Sequence, residues 1–198
     1  MTPERVVAIT GVSGRWGRAV AQALLPQPNL RVLGIDARPP QPRIAGLDFV
    51  KADIRNPLLV DLLRAEQVDT IVHLAWRERQ WRREADFESN VLGAMQLLGA
   101  AVDAGVEQIV LRSTTAVYGA RPENPVYLDE AFPVAARSGY ASVRDMVELE
   151  KFLAEFATEF PELPIAVLRF ANVVGADVDS PFPRLLRLPV IPSLLGFD

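Results

Sequence analysis

Short apolar, β-branched runs alternate along this chain with longer segments whose apolar residues recur at helical spacing. RVVAI (5–9) ends at a glycine-rich turn and leads into GRAVAQALL (17–25), a helical pattern that stops at Pro26. RVLGID (31–36) and DFVKAD (48–53) read as the second and third strands. Asn56 and Pro57 pair a capping side chain with a first-position proline, which opens a helix over LLVDLLRAE. DTIVHLA (69–75) is a fourth strand. Val91, Ala94, Met95, Leu98, Ala101 and Val102 form the stripe of a long helix that ends at Gly105. QIVLRST (108–114) is a fifth strand, and IAVLRF (165–170) a sixth. Between them Val143, Val147, Phe152, Phe156 and Phe160 lie on or near one helical face through 140–160. Strands alternating with helices predict an α/β, doubly wound parallel sheet with helices on both faces and right-handed crossovers.

Beyond Gly175 the pattern changes. Pro181, Pro183, Pro189 and Pro192 interrupt it, and one short helix near 182–188 is the only element predicted there. The expected division therefore falls after residue 174, with alternating strands and helices over 1–174 and a proline-rich segment over 175–198. At 198 residues the chain suits one well-buried domain.

Composition narrows the function. A net charge of -4 gives no reason to expect nucleic acid or an anionic membrane as partner. With no cysteine, disulfides, thiolate catalysis and cysteine-ligated zinc are excluded. A single histidine, His73, makes no histidine-based metal site, so no metal is expected. MTPERVVAIT lacks an apolar signal core and no apolar run reaches membrane-spanning length, which predicts a soluble, cytoplasmic protein.

The glycine turn carries the first chemistry. TGVSGRWG places Gly11, Gly14 and Gly17 after a strand and at the start of a helix. Such a turn lets backbone approach a pyrophosphate closely, and the helix N-terminus offers free N–H groups and a positive dipole end. Asp36 ends the second strand 19 residues beyond Gly17, close to the spacing of a ribose-binding carboxylate. A carboxylate there accepts from ribose hydroxyls and repels a 2′-phosphate, which favours NAD over NADP; Arg15 and Arg38 soften the preference. Asp53, after the third strand, is either an adenine-edge contact or a plain strand-end acid. Ligands of doubly wound sheets sit at the carboxyl ends of the strands, here HLAW (73–76), RSTTAVYG (112–119) and RFANVVG (169–175). Tyr140 begins the next helix on that same side, with Arg144 one turn on and both side chains expected on one face.

Taken in order, TGVSGRWG, Asp36, KADIR, HLA, NVLGAMQLLGAA, STTAVYG, YASVR and RFANVVG resemble the extended short-chain dehydrogenase/reductases, especially the NAD-dependent nucleotide-sugar epimerases and dehydratases. The resemblance covers nearly the whole chain and implies a Rossmann-type sheet. It implies a cofactor site made of Gly11, Ser13, Gly14, Arg15, Trp16, Gly17, Asp36, Ala37, Arg38, Asp53, Ile54, Leu74, Ala75, Trp76, Asn90 and Tyr140. Tyr140 would be the acid/base for a sugar hydroxyl, Thr114 would hydrogen-bond that hydroxyl with Ser113 beside it, and Asn172 would meet the diphosphate of a nucleotide sugar. Asn90 would tie the fourth strand to its neighbours. His73 is expected to be a hydrogen-bonded packing residue. The resemblance further implies a homodimer through helices 88–104 and 140–160.

Three departures accompany it. The family's tyrosine is followed four residues later by lysine; here Arg144 stands there. It supplies the charge that favours a phenolate but gives up no proton and is forked rather than pointed. After HLA the chain carries Trp76, Trp81, Arg77, Arg79, Arg82 and Arg83, intermingled with Glu78, Glu84 and Asp86, where the family has small residues. This segment is either a cover for cofactor or substrate phosphates or a solvated helix. Extended members also run on well past the length reached here, so the resemblance implies an NAD-binding Rossmann domain over 1–174 and, in 175–198, the proline-rich start of a truncated or minimal substrate lobe. The expected activity is NAD-dependent hydride transfer in a nucleotide-sugar epimerase or dehydratase. The alternatives are a non-sugar dehydrogenase or reductase of the same type and a non-catalytic NAD-binding sensor.

Overall fold

The structure, a computed structural model, describes residues 5–78, 84–135 and 140–175. Its elements are β1 (Arg5–Thr10), α1 (Arg15–Leu24), β2 (Leu30–Asp36), β3 (Asp48–Lys51), α2 (Leu59–Ala65), β4 (Thr70–His73), α3 (Glu84–Phe87), α4 (Gly93–Ala104), β5 (Gln108–Thr114), α5 (Ala141–Glu159) and β6 (Ile165–Phe170). A π-helical turn (Glu88–Leu92) joins α3 to α4, and a 3-10 turn (Thr115–Tyr118) follows β5. The strands form one sheet in the order β3-β2-β1-β4-β5-β6, and every pairing is parallel. The order reverses between β1 and β4, and that switch point is where such sheets open a crevice.

Alternation along β1 shows why the runs are apolar without a polar face. Val6 and Ala8 pack into a core with Leu33, Ile35, Ile71, Ile109, Leu111 and residues of α2, α4 and α5. Val7 and Ile9 pack the other way with Val12, Val32, Ile44, Leu47 and Ala21 of α1. Both faces are covered at the centre of the sheet, so residues of β1 and β2 are buried on both sides. Ile9, Leu33, Ile35, Ile71, Ile109, Leu111 and Leu149 are fully buried, each contributing about 1.5–3 kcal/mol relative to exposure.

The ends of the elements have local causes. Gly105 takes φ +75° after α4 and donates to Val102, while the N–H of Val106 reaches Ala101; together they close the helix. Asn56 does not cap α2 directly. Its side chain accepts from the N–H of Leu58 at 3.0 Å, forming a turn one residue before the helix begins. The long helix expected at 88–104 begins as α3 and passes through the π turn, which periodicity does not signal. Among the described residues no helix is long and apolar enough to cross a membrane. The short helix expected near 182–188 lies outside the described residues, as do Arg79, Trp81, Arg82 and Arg83.

Candidate dinucleotide site

At the switch point lies a cleft of about 610 Å³ over the carboxyl ends of β1, β2, β3 and β4. Gly11, Ser13 and Gly14 form one wall, and Asp36, Ala37 and Arg38 the next. Asp53, Ile54, Leu74, Ala75 and Trp76 complete the expected residues that line it. Arg77, from the segment weighed as a cofactor cover, lines it as well, and so do Pro39, Gln41 and Ser89, which were not expected. Their side-chain types give no signal of such a role, and the chain path after Asp36 and the π turn alone bring them there.

Close packing explains the glycines. Gly11 has φ +71°, and a Cβ on it would lie 2.6 Å from the backbone of Ala75. The segment that leaves β4 thus passes directly against the turn. A Cβ on Gly17 would lie 2.5 Å from Cα of Val12, so α1 sits on the chain that precedes it. The N–H of Gly14 donates to Gly11 at 3.0 Å, and Gly14 caps α1 with no side chain. The amides of the first helical turn carry the positive end of the helix dipole with no capping oxygen in front of them.

Asp36 is tied to this turn. Its carboxylate accepts from the N–H of Ser13 and from the N–H of Arg38, each at 3.1 Å. The Ser13 hydroxyl donates to the carbonyl of Arg38. These bonds lock the end of β2 to the glycine turn and leave carboxylate lone pairs for hydroxyl donors. A turn that only a Cβ-free backbone can make, uncapped amides and a fixed carboxylate at the second strand end suit a dinucleotide, with the pyrophosphate on α1 and a ribose at Asp36. Asp53 faces the same cleft but is clasped by Arg55 at 2.8 and 2.9 Å. That guanidinium holds its carboxyl below the usual carboxylate range.

Other expected residues sit elsewhere. Trp16 packs against Phe170 at the end of β6, ring centres 5.2 Å apart, with the Arg112 guanidinium 5.3 Å from its ring. Arg15 lies 5.6 Å from the same ring, and neither residue lines the cleft. Asn90 is buried on the π turn; its amide accepts from the N–H of Arg77 at 2.8 Å and donates to the Arg77 carbonyl at 3.1 Å. It thereby anchors the segment after β4. His73 is buried against Thr10, with Nδ1 2.7 Å from the hydroxyl. Burial, aided by the charge of Arg112, lowers its pKa to about 4.

On β5, Ser113 is buried and donates to Glu150, whereas Thr114 is half-buried at the strand end, where its hydroxyl accepts from the N–H of Ala116 at 3.2 Å. Tyr140 is half exposed and lies one residue before α5, with extended backbone, rather than inside it. Its carbonyl accepts from the N–H groups of Val143 and Arg144, so the Tyr140–Arg144 spacing is that of a cap and a first turn, not of two helical residues. Arg144 and Asn172 are exposed. Among the described residues no cluster of metal-ligating side chains occurs.

This geometry has relatives. The profile of the NAD dependent epimerase/dehydratase family matches residues 7–190. The chain belongs to that family, whose name carries its cofactor. An uncharacterized protein of Mycobacterium tuberculosis is 33% identical over 203 residues, covering 98% of this chain and 54% of the relative. A UDP-glucose 4-epimerase of Azospirillum brasilense is 30% identical over 180 residues, 86% of this chain and 50% of that enzyme. The chain spans about half the length of the curated relatives it matches. Among solved structures, the Thermus thermophilus UDP-glucose 4-epimerase in complex with NAD superposes with a TM-score of 0.75 at 27% identity, covering 88% of this chain and 57% of that one. MoeE5 in complex with UDP-glucuronic acid and NAD gives 0.77 at 29% identity, covering 91% and 60%.

Proposed function

We propose that this chain binds NAD in the cleft and carries the hydride-transfer site of a nucleotide-sugar epimerase or dehydratase. The observation that carries the proposal is the coupling of the glycine turn to Asp36 through Ser13, which fixes a ribose acceptor beside the open amides of α1. The carboxylate selects against a 2′-phosphate, which makes the cofactor NAD rather than NADP. Leu74, Ala75 and Trp76 give the cleft an apolar wall where β4 ends. Bound NAD supplies a hydride acceptor for the sugar carbon.

The chain's own residues do the rest. Thr114 hydrogen-bonds the reacting sugar hydroxyl, Tyr140 takes its proton, and Asn172 meets the diphosphate. These residues stand at the end of β5, at the cap of α5 and just beyond β6, all on the carboxyl side of the sheet. Arg144 keeps a fixed positive charge one turn into α5 and passes no proton on. The relatives solved with UDP-sugars support this substrate class. A homodimer through α4 and α5 accompanies the proposal.

The test is to supply NAD and a UDP-hexose and follow nicotinamide reduction and product sugar. Turnover that collapses in Tyr140→Phe, with NAD binding retained, supports the site. A second reading, an NAD-binding protein without turnover, is favoured by one observation: arginine holds the position four residues after Tyr140. Tight NAD binding with no turnover of any UDP-sugar selects it.

A further inference from the structure

A buried carboxylate lies between the three segments that carry Thr114, Tyr140 and Asn172. Glu150 sits on the inner face of α5, with its side chain 3% exposed. One of its oxygens accepts from the Ser113 hydroxyl. The other accepts from Nε and Nη2 of Arg169, at 2.9 and 2.7 Å. Ser113 of β5 and Arg169 of β6 are register partners across the sheet, so one carboxylate caps both strands at once. Nη1 of Arg169 donates to the Tyr118 hydroxyl at 2.7 Å and to the Glu130 carbonyl at 3.0 Å. The Tyr118 hydroxyl donates onward to the Asp129 carbonyl at 3.1 Å.

Each partner is a short step from a substrate-facing position. Ser113 precedes Thr114. Arg169 lies three residues before Asn172. The carbonyls of Asp129 and Glu130 belong to the connection that leads from β5 to Tyr140. Glu150 lies ten residues along α5 from Tyr140, about 15 Å at the helical rise, and a helix transmits a shift at one end to the other. A buried ion pair is a poor stability device, because apolar side chains of like volume often serve as well. Its fork and its three-way geometry are what apolar side chains lack.

We infer that Glu150, through Ser113 and Arg169, is a positioning residue that sets Thr114, Tyr140 and Asn172 in mutual register. The inference rests on the nucleotide-sugar reading above. It places no direct contact between Glu150 and substrate. It also assigns Ser113 a positioning role through its bond to the carboxylate, while Thr114 alone faces the reacting hydroxyl.

The test compares Glu150→Gln, Arg169→Lys and the paired change Glu150→Leu with Arg169→Met in the whole chain, using UDP-glucose and UDP-glucuronate as probes. The glycine turn lies on the other half of the sheet, so NAD affinity by calorimetry stays within about twofold. In each variant kcat falls about tenfold or more. The paired change removes both charges together, so its Tm recovers toward the parent value while kcat does not. Recovery of kcat along with Tm in the pair overturns the inference, since the network would then serve stability alone; so does parent-like kcat in Arg169→Lys. If the unaltered chain turns over neither probe, the nucleotide-sugar reading falls and takes the inference with it. That outcome is distinct from variants that keep the parent rate.

Discussion

Asn90 grips both backbone polar groups of Arg77, accepting its N–H at 2.8 Å and donating to its carbonyl at 3.1 Å. The π turn that carries Asn90 points this amide inward, and the gripped residue lines the dinucleotide cleft beside Trp76. Asn90→Ala leaves two backbone groups without their partner and lowers stability by about 1–3 kcal/mol, read by urea unfolding. NAD affinity weakens as well, because the wall after β4 loses its anchor. Parent-like stability and affinity in this variant would contradict the role given to the π turn.

Gly11 is the least replaceable position of the turn. Its φ of +71° and the Ala75 backbone 2.6 Å from any added Cβ act together. Gly11→Ala lowers stability by about 1–3 kcal/mol from backbone conformation alone, with the contact adding to it. For a chain of this size each kcal/mol lowers Tm by roughly 2–4 °C, so calorimetry resolves the loss. Gly14→Ala, with a 3.3 Å contact and no positive φ, is the milder control.

His73 makes stability depend on pH. Its folded value is about 4 because burial disfavours the charged ring, while in the unfolded chain it returns to about 6.5. Between these values the unfolded chain binds more protons, so stability rises with pH across the window and is lost as pH falls through it. The loss attributable to His73 is on the order of 3 kcal/mol. Unfolding curves at several pH values, compared with His73→Gln, isolate it from the carboxylates. Equal slopes in the two proteins would show that the ring is not buried neutral.

Tyr140 and Arg144 separate binding from chemistry. Tyr140→Phe retains NAD affinity and lowers turnover about a hundredfold or more, as loss of a general acid/base does. Arg144→Lys raises turnover if the forked guanidinium handicaps the site, and leaves it unchanged if arginine serves as a substitute. Steady-state rates with a UDP-sugar decide between the two. Turnover unaffected by Tyr140→Phe would remove the tyrosine from the mechanism.

The fold was legible because its central strands β1 and β2 are buried on both faces. Runs such as VVAI (6–9) and IAVL (165–168) are apolar throughout, which leaves little to mistake. Gly105 announced its helix end through the left-handed conformation it takes. The glycine turn with Asp36 was legible as a pair because both obey spacing along the chain. What spacing does not carry is which way a side chain turns. Ser113 and Thr114 are neighbours in sequence, yet strand alternation sends Ser113 to Glu150 beneath α5 and leaves Thr114 at the strand end. Trp16 reads as part of the turn but stacks on Phe170, which is 154 residues away in sequence. Arg169 opens RFANVVG, but Glu150 belongs to no motif and nothing joined the two, since a buried ion pair is written in the tertiary contact and not in local pattern. The expected helix start at Tyr140 is one residue early, Tyr140 being the cap before Ala141, because helical spacing alone does not fix the first residue of a helix.

Calorimetric titration of the chain with NAD and then NADP, beside Asp36→Ala, tests the central claim most directly. The account predicts saturable NAD binding, weaker NADP binding, and loss of the preference in the variant. Absence of NAD binding, or equal binding of both dinucleotides that Asp36→Ala does not change, would contradict the assignment of the cleft.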